Sequence, residues 1–327
     1  KARSLQPALR ASPQAVIARP AIPSKSVSPS FLPQRVRVVG MSLRWSRHLV
    51  LAVLIASPLS CIAQAIAPSY LLSARLPPQS RVLLLDIDTG KLSTNFKDTQ
   101  QQRFAPGSTL KPFILLAALQ DGVVREQSQI ECHGQLTVQG RNLACTHPRE
   151  LHIFTAQQAL AYSCNQYFAA VASRMRFPDL LHALETFGLR PTARDGDADE
   201  RILMALGLAG VRVTPLQLAK AYRQLALQVR DAGNTQESQA SLQLVQGGMF
   251  DSVQYGMAHN AATAGISLAG KTGTASESGQ AWTHGWFAGI VYDTAARPRQ
   301  VIVIYLPHAS GADSALLAHH LLAGDRR

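Results

Sequence analysis

Acidic residues are absent from the first 65 positions, which hold nine of the chain's 32 lysines and arginines. From residue 66 onward, 23 basic residues meet 20 acidic ones, a surplus of only three. The net charge of +12 is therefore largely a property of the front end. The nearly neutral remainder argues against nucleic acid or another polyanion as partner. Charged residues make up only 16% of the chain and aromatics 6%. There is no internal repeat, no P-loop and no Gly-x-Gly-x-x-Gly, so nothing suggests a solenoid or a phosphate-cradling loop. What is abundant is apolar: 46% of 327 residues, enough for one large domain or two small ones.

The front end reads as addressing. Residues 1–40 carry six prolines and no helical or strand period, which predicts disorder or a stretch that is not translated. Met41 starts a new pattern. Arg44 and Arg47 form a positive segment, Leu49 to Ser57 an apolar core, and Ala63-Gln64-Ala65 a small-residue cleavage site. Residues 41–65 thus read as a secretory signal peptide, with an uncleaved anchor over 49–67 as the alternative. Either reading places the working domain outside the cytoplasm. Residues 66–80 read as a linker, and 81–327 as the domain.

Arg81 to Asp88 is an apolar strand, Thr89-Gly90 a turn, and Lys91 to Phe96 its return strand. Pro106 and Gly107 then make a turn from which a helix starts at Ser108 and stops at Gly122. Residues 123–154 are loop-rich. Thr155-Ala-Gln-Gln158 fits a capping box, and the helix it opens breaks at Tyr162 to Asn165 before resuming. Helices are expected over Pro178–Phe187, from Thr214-Pro215 to about Gln228, and over Leu242–Met257, with a loop at 229–240. Three strands follow in quick succession, Ile266–Ala275, His284–Tyr292 and Gln300–Leu306, and Asp313 caps a last helix. Short connections favour an antiparallel meander, with the Arg81–Phe96 hairpin joining at one edge. The expected class is α+β: a mainly antiparallel sheet packed between helices.

Three short motifs carry chemistry. Ser108-x-x-Lys111 puts a hydroxyl and an amine on one helix face, a nucleophile with a base at hand. Taken alone, it is as well read as a capping serine and a surface lysine. Ser-x-Asn occurs at Ser93–Asn95 and Ser163–Asn165, and only the second lies between the other two motifs. Lys271-Thr272-Gly273 is the third; alone it would be an ordinary edge strand and turn. Their order and their placement at a helix start, an interhelical break and a strand match the serine acyl-transferase signature.

On these residues the chain resembles the transpeptidase domain of penicillin-binding proteins, a DD-peptidase/β-lactamase-like fold. The likeness extends to Phe104–Phe113, Val213–Ala219, Gly270–Ala275 and Gly285–Gly289, and covers roughly residues 81–308. It implies that Ser108 is acylated by a D-Ala-D-Ala carbonyl while Lys111, made less basic by burial and by Lys271, takes its proton. It implies that Ser163 relays a proton to the leaving amine beside Lys271. Asn165 orients Lys111 and binds the substrate amide. Lys271 and Thr272 hold the terminal carboxylate, Thr272 and Thr274 line the donor's strand, and Gly273 leaves room for it. The backbone N–H groups of Ser108 and Thr274 form the oxyanion hole. Peptidoglycan stem peptides are the implied substrate and β-lactams covalent inhibitors, with no cofactor required.

Once a signal peptide is removed, Cys132, Cys145 and Cys164 remain. Three readings stay open: a Cys132–Cys145 disulfide, a structural zinc, or unlinked thiols. Some elongation-type relatives in the family carry zinc in this segment, and the fourth ligand here would be His152 or His147. The rivals to a DD-transpeptidase are a DD-carboxypeptidase, a β-lactam or muropeptide sensor, and a serine β-lactamase. The last needs a water-activating group, and no Glu-x-x-x-Asn follows Ser163. With no glycosyltransferase or pedestal segment before residue 81, a glycan-polymerising partner is expected.

Overall fold

The structure is a computed structural model that describes residues 75–97, 102–193, 195–231, 236–276 and 281–324. The expectations for the leader and for most of the linker lie outside the described residues. Strands β1 (Arg81–Asp86) and β2 (Leu92–Thr94) form the expected hairpin. A 3-10 turn, Gly107–Leu110, leads into α1 (Lys111–Gln120), so Ser108 starts one tight turn before the α-helix proper. The loop-rich segment holds two short ladders, β3 (Ile130–Glu131) with β6 (Ile153–Phe154), and β4 (Thr137–Val138) with β5 (Arg141–Asn142).

Helices α2 (Ala156–Ala161), α3 (Asn165–Arg174), α4 (Phe177–Glu185) and α5 (Ala198–Ala205) follow. Then come α6 (Pro215–Asp231), α7 (Gln236–Gln254), strands β7 (Ser267–Ala275), β8 (His284–Tyr292) and β9 (Pro298–Pro307), and α8 (Gly311–Ala323). Beyond shifts of a few residues at element ends, three differences from expectation matter. α5 was not anticipated, although Asp197 and Glu200 make a capping box at its start. The loop expected at 229–240 shrinks because α6 runs on to Asp231 and α7 begins at Gln236. The last helix is capped by Ser310, with Asp313 as the reciprocal residue of the box.

The main sheet is antiparallel in the order β2-β1-β9-β8-β7. Its alternation divides two cores. Val82, Leu84, Ile302, Ile304 and Phe287 face a core shared with Ala315, Ala318 and Leu321 of α8. Leu83, Leu85, Val301, Val303 and Trp286 face the larger core, with Leu218, Tyr222 and Leu225 of α6. Both faces are covered, which is why the strands read as nearly continuous apolar runs. β7 is an edge strand, and the first turn after Gly107 packs against it.

Candidate active site

Phe104 to Leu110 is fixed by contacts from four elements. Phe104 exchanges backbone hydrogen bonds with Val213, both at 2.9 Å. The Trp286 indole donates to the Ala105 carbonyl at 3.0 Å, and the Tyr222 hydroxyl to the Thr109 carbonyl at 2.9 Å. The Gly107 N–H donates to the Gly207 carbonyl at 3.0 Å. Gly107 has φ +55°, and a Cβ there would stand 2.8 Å from the Thr274 carbonyl oxygen and 3.0 Å from its nitrogen. The half-buried Ser108 is thereby pressed toward the Thr274 backbone.

Gly273 has a different neighbour from the one expected. Its Cβ direction meets the Pro106 carbonyl at 2.4 Å and the Thr109 side chain at 2.9 Å. The room that glycine makes here is room for the turn carrying Ser108, and a side chain would push that turn off the strand. Thr272 is 7% exposed and faces the first turn of α8, where a Cβ on Gly311 would come within 2.9 Å of it. The exposed Thr274 accepts the Gly311 N–H on its Oγ1 at 2.8 Å.

Lys111 is fully buried and its Nζ donates to three oxygens: the Ser163 carbonyl at 2.8 Å, the Ser163 Oγ at 3.1 Å and Asn165 Oδ1 at 2.7 Å. The Phe168 ring lies 5.0 Å from the same Nζ. Ser163 has φ +54°, an uncommon state for a non-glycine residue. Such strain costs about 1–3 kcal/mol and persists only where the surroundings over-determine it. Here it sits at the break between α2 and α3 and delivers carbonyl and hydroxyl to one amine. The other Ser-x-Asn pair is structural: Asn95 Oδ1 accepts the Val82 N–H at 2.7 Å, and its Nδ2 donates to the Ser80 carbonyl at 3.0 Å.

Burial brings the Lys111 amine down to about 7, against a smaller opposing pull from Cys164 and Cys145. Lys271 is also fully buried and stands well below an ordinary lysine, first through burial and then through repulsion from Lys111. The expected like-charge effect thus falls on Lys271, and desolvation accounts for Lys111. The Lys271 Nζ donates to the Thr272 carbonyl at 3.2 Å.

A second cluster lies behind the Ser163 break. The Cys132, Cys145 and Cys164 sulfurs and His147 Nε2 all lie within 4.8 Å of one another. Cys132 Sγ is 3.6 Å from Cys145 Sγ and 3.4 Å from His147 Nε2, and Cys145 Sγ is 3.8 Å from Cys164 Sγ. None of the three cysteines is in a disulfide. A tetrahedral zinc with Zn–S bonds of about 2.3 Å requires sulfurs about 3.8 Å apart, so the donors already have the spacing of a four-coordinate site. His147 Nδ1 lies 3.0 Å from the Pro148 carbonyl, which leaves Nε2 as the donor facing the sulfurs. Cys145 is held down to about 4, chiefly by its hydrogen bond with Cys164. His152 is the correction: its exposed ring turns to the Glu150 carbonyl at 3.0 Å and only its backbone oxygen reaches Cys132 N, at 2.7 Å. It lies just before β6 and is not one of the four closely grouped donors.

A family model described as penicillin binding protein transpeptidase domain matches residues 81–323. The chain belongs to this family. Penicillin-binding protein 1A of Neisseria flavescens is 28% identical over 256 residues, covering 65% of this chain and 31% of that protein. The counterpart in Neisseria cinerea is 27% identical over the same shares. The chain therefore spans under a third of the length of these relatives. Among solved structures, the D,D-transpeptidase domain of a peptidoglycan glycosyltransferase from Eggerthella lenta superposes with a TM-score of 0.63 at 21% identity, covering 80% of each chain. The Helicobacter pylori penicillin-binding protein PBP2, solved with MreC, gives 0.63 at 16% identity over 75% of this chain and 59% of that one. At these identities the likeness concerns the fold, and it is the α+β fold expected of a transpeptidase domain. Membership associates this transpeptidase domain with penicillin binding and peptidoglycan biosynthesis.

Proposed function

We propose that the protein is a serine-type DD-transpeptidase that cross-links peptidoglycan stem peptides through an acyl-enzyme on Ser108. The observation that carries this reading is the Lys111 amine. It is buried, brought to about 7, and aimed by Ser163 and Asn165 in the helical turn that follows Ser108. A lysine that is half neutral near pH 7 is a competent general base.

In the proposed sequence, Lys111 takes the Ser108 hydroxyl proton as Oγ attacks the carbonyl of the penultimate D-Ala. The N–H groups of Ser108 and Thr274 receive the oxyanion. Losing such a donor costs about 10²–10³ in rate in comparable enzymes. Ser163 Oγ, hydrogen-bonded to Lys111 Nζ, passes a proton to the departing D-Ala amine. An amine from a second stem peptide then attacks the ester and frees Ser108. Asn165, Thr272 and Thr274 line the donor, with Lys271 and Thr272 nearest its terminal carboxylate. β-Lactams would acylate the same hydroxyl and stay. A glycan-polymerising protein is the proposed partner, and an exported location follows from the substrate. Among the described residues, no helix is long and apolar enough to cross a membrane.

Zinc is the proposed ion for the Cys132, Cys145, His147 and Cys164 donors. Three thiolates and an imidazole suit it, and a full set of four protein ligands makes such a site structural. Zinc held there would cross-link the 132–147 segment to the start of α3. Fluorescent penicillin followed by peptide mapping tests the main reading. Label on the peptide carrying Ser108, abolished in Ser108→Ala, is expected; label elsewhere overturns it. Release of D-Ala with formation of a new amide to a supplied amine separates transpeptidation from hydrolysis.

A further inference from the structure

Arg141 belongs to none of the motifs, yet it reaches the end of β7. The β4–β5 hairpin turns through Gln139 and Gly140, whose φ angles are +47° and +73°. Two left-handed residues make a tight turn whose twist suits a two-residue hairpin. The turn sets Val138 opposite Arg141, and directly paired residues project from the same face. Val138 is buried, so Arg141 is led inward with it.

The hairpin is tied to the catalytic break. The Leu143 carbonyl accepts Asn165 Nδ2 at 3.0 Å, and the His133 N–H donates to Gln166 Oε1 at 2.7 Å. From this anchorage Arg141 crosses to the sheet, where its Nη2 donates to the Ser276 carbonyl at 3.1 Å. Ser276 follows the last residue of β7 and lies two positions beyond Thr274. At about 3.3 Å per strand residue, its carbonyl lies about 7 Å along the edge from the Thr274 backbone against which Gly107 packs. Among the described residues, no carboxylate forms an ion pair with Arg141. A guanidinium has five donors in a planar fork that matches a carboxylate.

We propose that Arg141 is a specificity-determining residue that binds a side-chain carboxylate on the donor residue preceding D-Ala-D-Ala. This rests on the DD-transpeptidase reading, in which the donor's terminal carboxylate lies at the Thr272 end of β7. The chain upstream of the acylated D-Ala then runs past Thr274 toward Ser276. The preceding residue falls about one strand step on, within reach of the Arg141 fork held at Ser276. The ligand class is an acidic peptide, read by charge and by bidentate geometry.

The test uses the full chain and two synthetic donors that differ only in that residue, one with a side-chain carboxylate and one with its primary amide. D-Ala release is measured for wild type, Arg141→Gln and Arg141→Lys. A charged hydrogen bond is worth about 10- to 100-fold. Arg141→Gln is expected to lose that factor in kcat/KM on the carboxylate donor, mostly in KM, and to stay within about twofold on the amide. Arg141→Lys should fall between wild type and Arg141→Gln on the carboxylate donor. Unchanged labelling by fluorescent penicillin shows that the variants are folded. An equal loss on both donors, or none on either, overturns the proposal and leaves Arg141 as a strut for the hairpin. No D-Ala release by wild type from either donor overturns the transpeptidase reading itself, and this proposal with it.

Discussion

Gly107 and Gly207 meet backbone to backbone beside Ser108. The Gly107 N–H bonds the Gly207 carbonyl at 3.0 Å, and a Cβ on Gly207 would stand 2.2 Å from the Gly107 carbonyl oxygen. Gly207 also has φ +69°, so a side chain is penalised by conformation and by contact. Gly207→Ala should displace the Ser108 turn and slow acylation by about 10²-fold, because small misplacements of a reacting group cost that much. Gly188→Ala is the control. Its φ is +70° with nothing within 4 Å of the added Cβ. It should lose about 1 kcal/mol and acylate normally. Acylation rates and melting temperatures of the two variants check this; equal acylation would remove the close contact from the account.

Acylation should follow the charge on Lys111. Burial brings its amine down to about 7, and it can act as the proposed base only when neutral. The second-order rate constant with a penicillin should therefore rise with pH, tenfold per unit well below 7, and level off above it. Stopped-flow measurements from pH 5 to 9 test this. A midpoint near 10 would mean that Lys111 is solvated during the reaction.

The same burial destabilises the fold. The unfolded chain keeps the lysine proton up to about pH 10.4, whereas the folded chain loses it at about 7. Between these values the unfolded state binds more protons, so stability rises with pH. The penalty is fully present below 7, about 4 kcal/mol at pH 7, and vanishes above 10.4. Lys111→Met removes it and loses the hydrogen bonds to Ser163 and Asn165. A net gain of about 1–3 kcal/mol at pH 7 is expected, with acylation abolished. The gain over wild type should shrink toward pH 9. Denaturant melts at the two pH values measure it, and a variant less stable than wild type at pH 7 contradicts the argument.

Much of this was legible in the sequence where the cause is local. Thr155 and Gln158, Thr214 and Gln217, and the β-branched run at 301–304 announce their elements through capping and strand chemistry. Asp197 and Glu200 announced α5 equally clearly, and only the weak apolar pattern around them hid it. Between Ser310 and Asp313, a capping box contains two residues that each look like the cap. What could not be read depends on distant partners. Gly207 looks like any turn glycine until it meets Gly107, a hundred positions away. His147 and His152 carry the same donor, and only the folded chain shows that it is the His147 ring that joins the sulfurs. Arg141 follows a turn signal, but its reach to Ser276 spans 135 positions.

Metal removal should be felt at the Ser163 break that aims Lys111. Cys164 lies between Ser163 and Asn165, and its sulfur accepts the Tyr167 N–H at 3.4 Å, so it also caps α3. Losing an ion on Cys164 frees the strained Ser163 and the Asn165 that aims Lys111. Protein purified under reducing conditions should carry one zinc. Cys132→Ser, Cys145→Ser and His147→Ala should lose it, whereas His152→Ala should keep it, since that ring engages the Glu150 carbonyl and is outside the donor group. Chelation should lower the melting temperature by about 4–8 °C if only about 2 kcal/mol of zinc-linked stability is lost. It should also slow penicillin acylation, and restored zinc should recover both. Elemental analysis, thermal melts and acylation rates on one preparation make the comparison. Metal-free wild type, or zinc lost from His152→Ala with His147→Ala still loaded, would remove zinc from the site or reassign its fourth ligand.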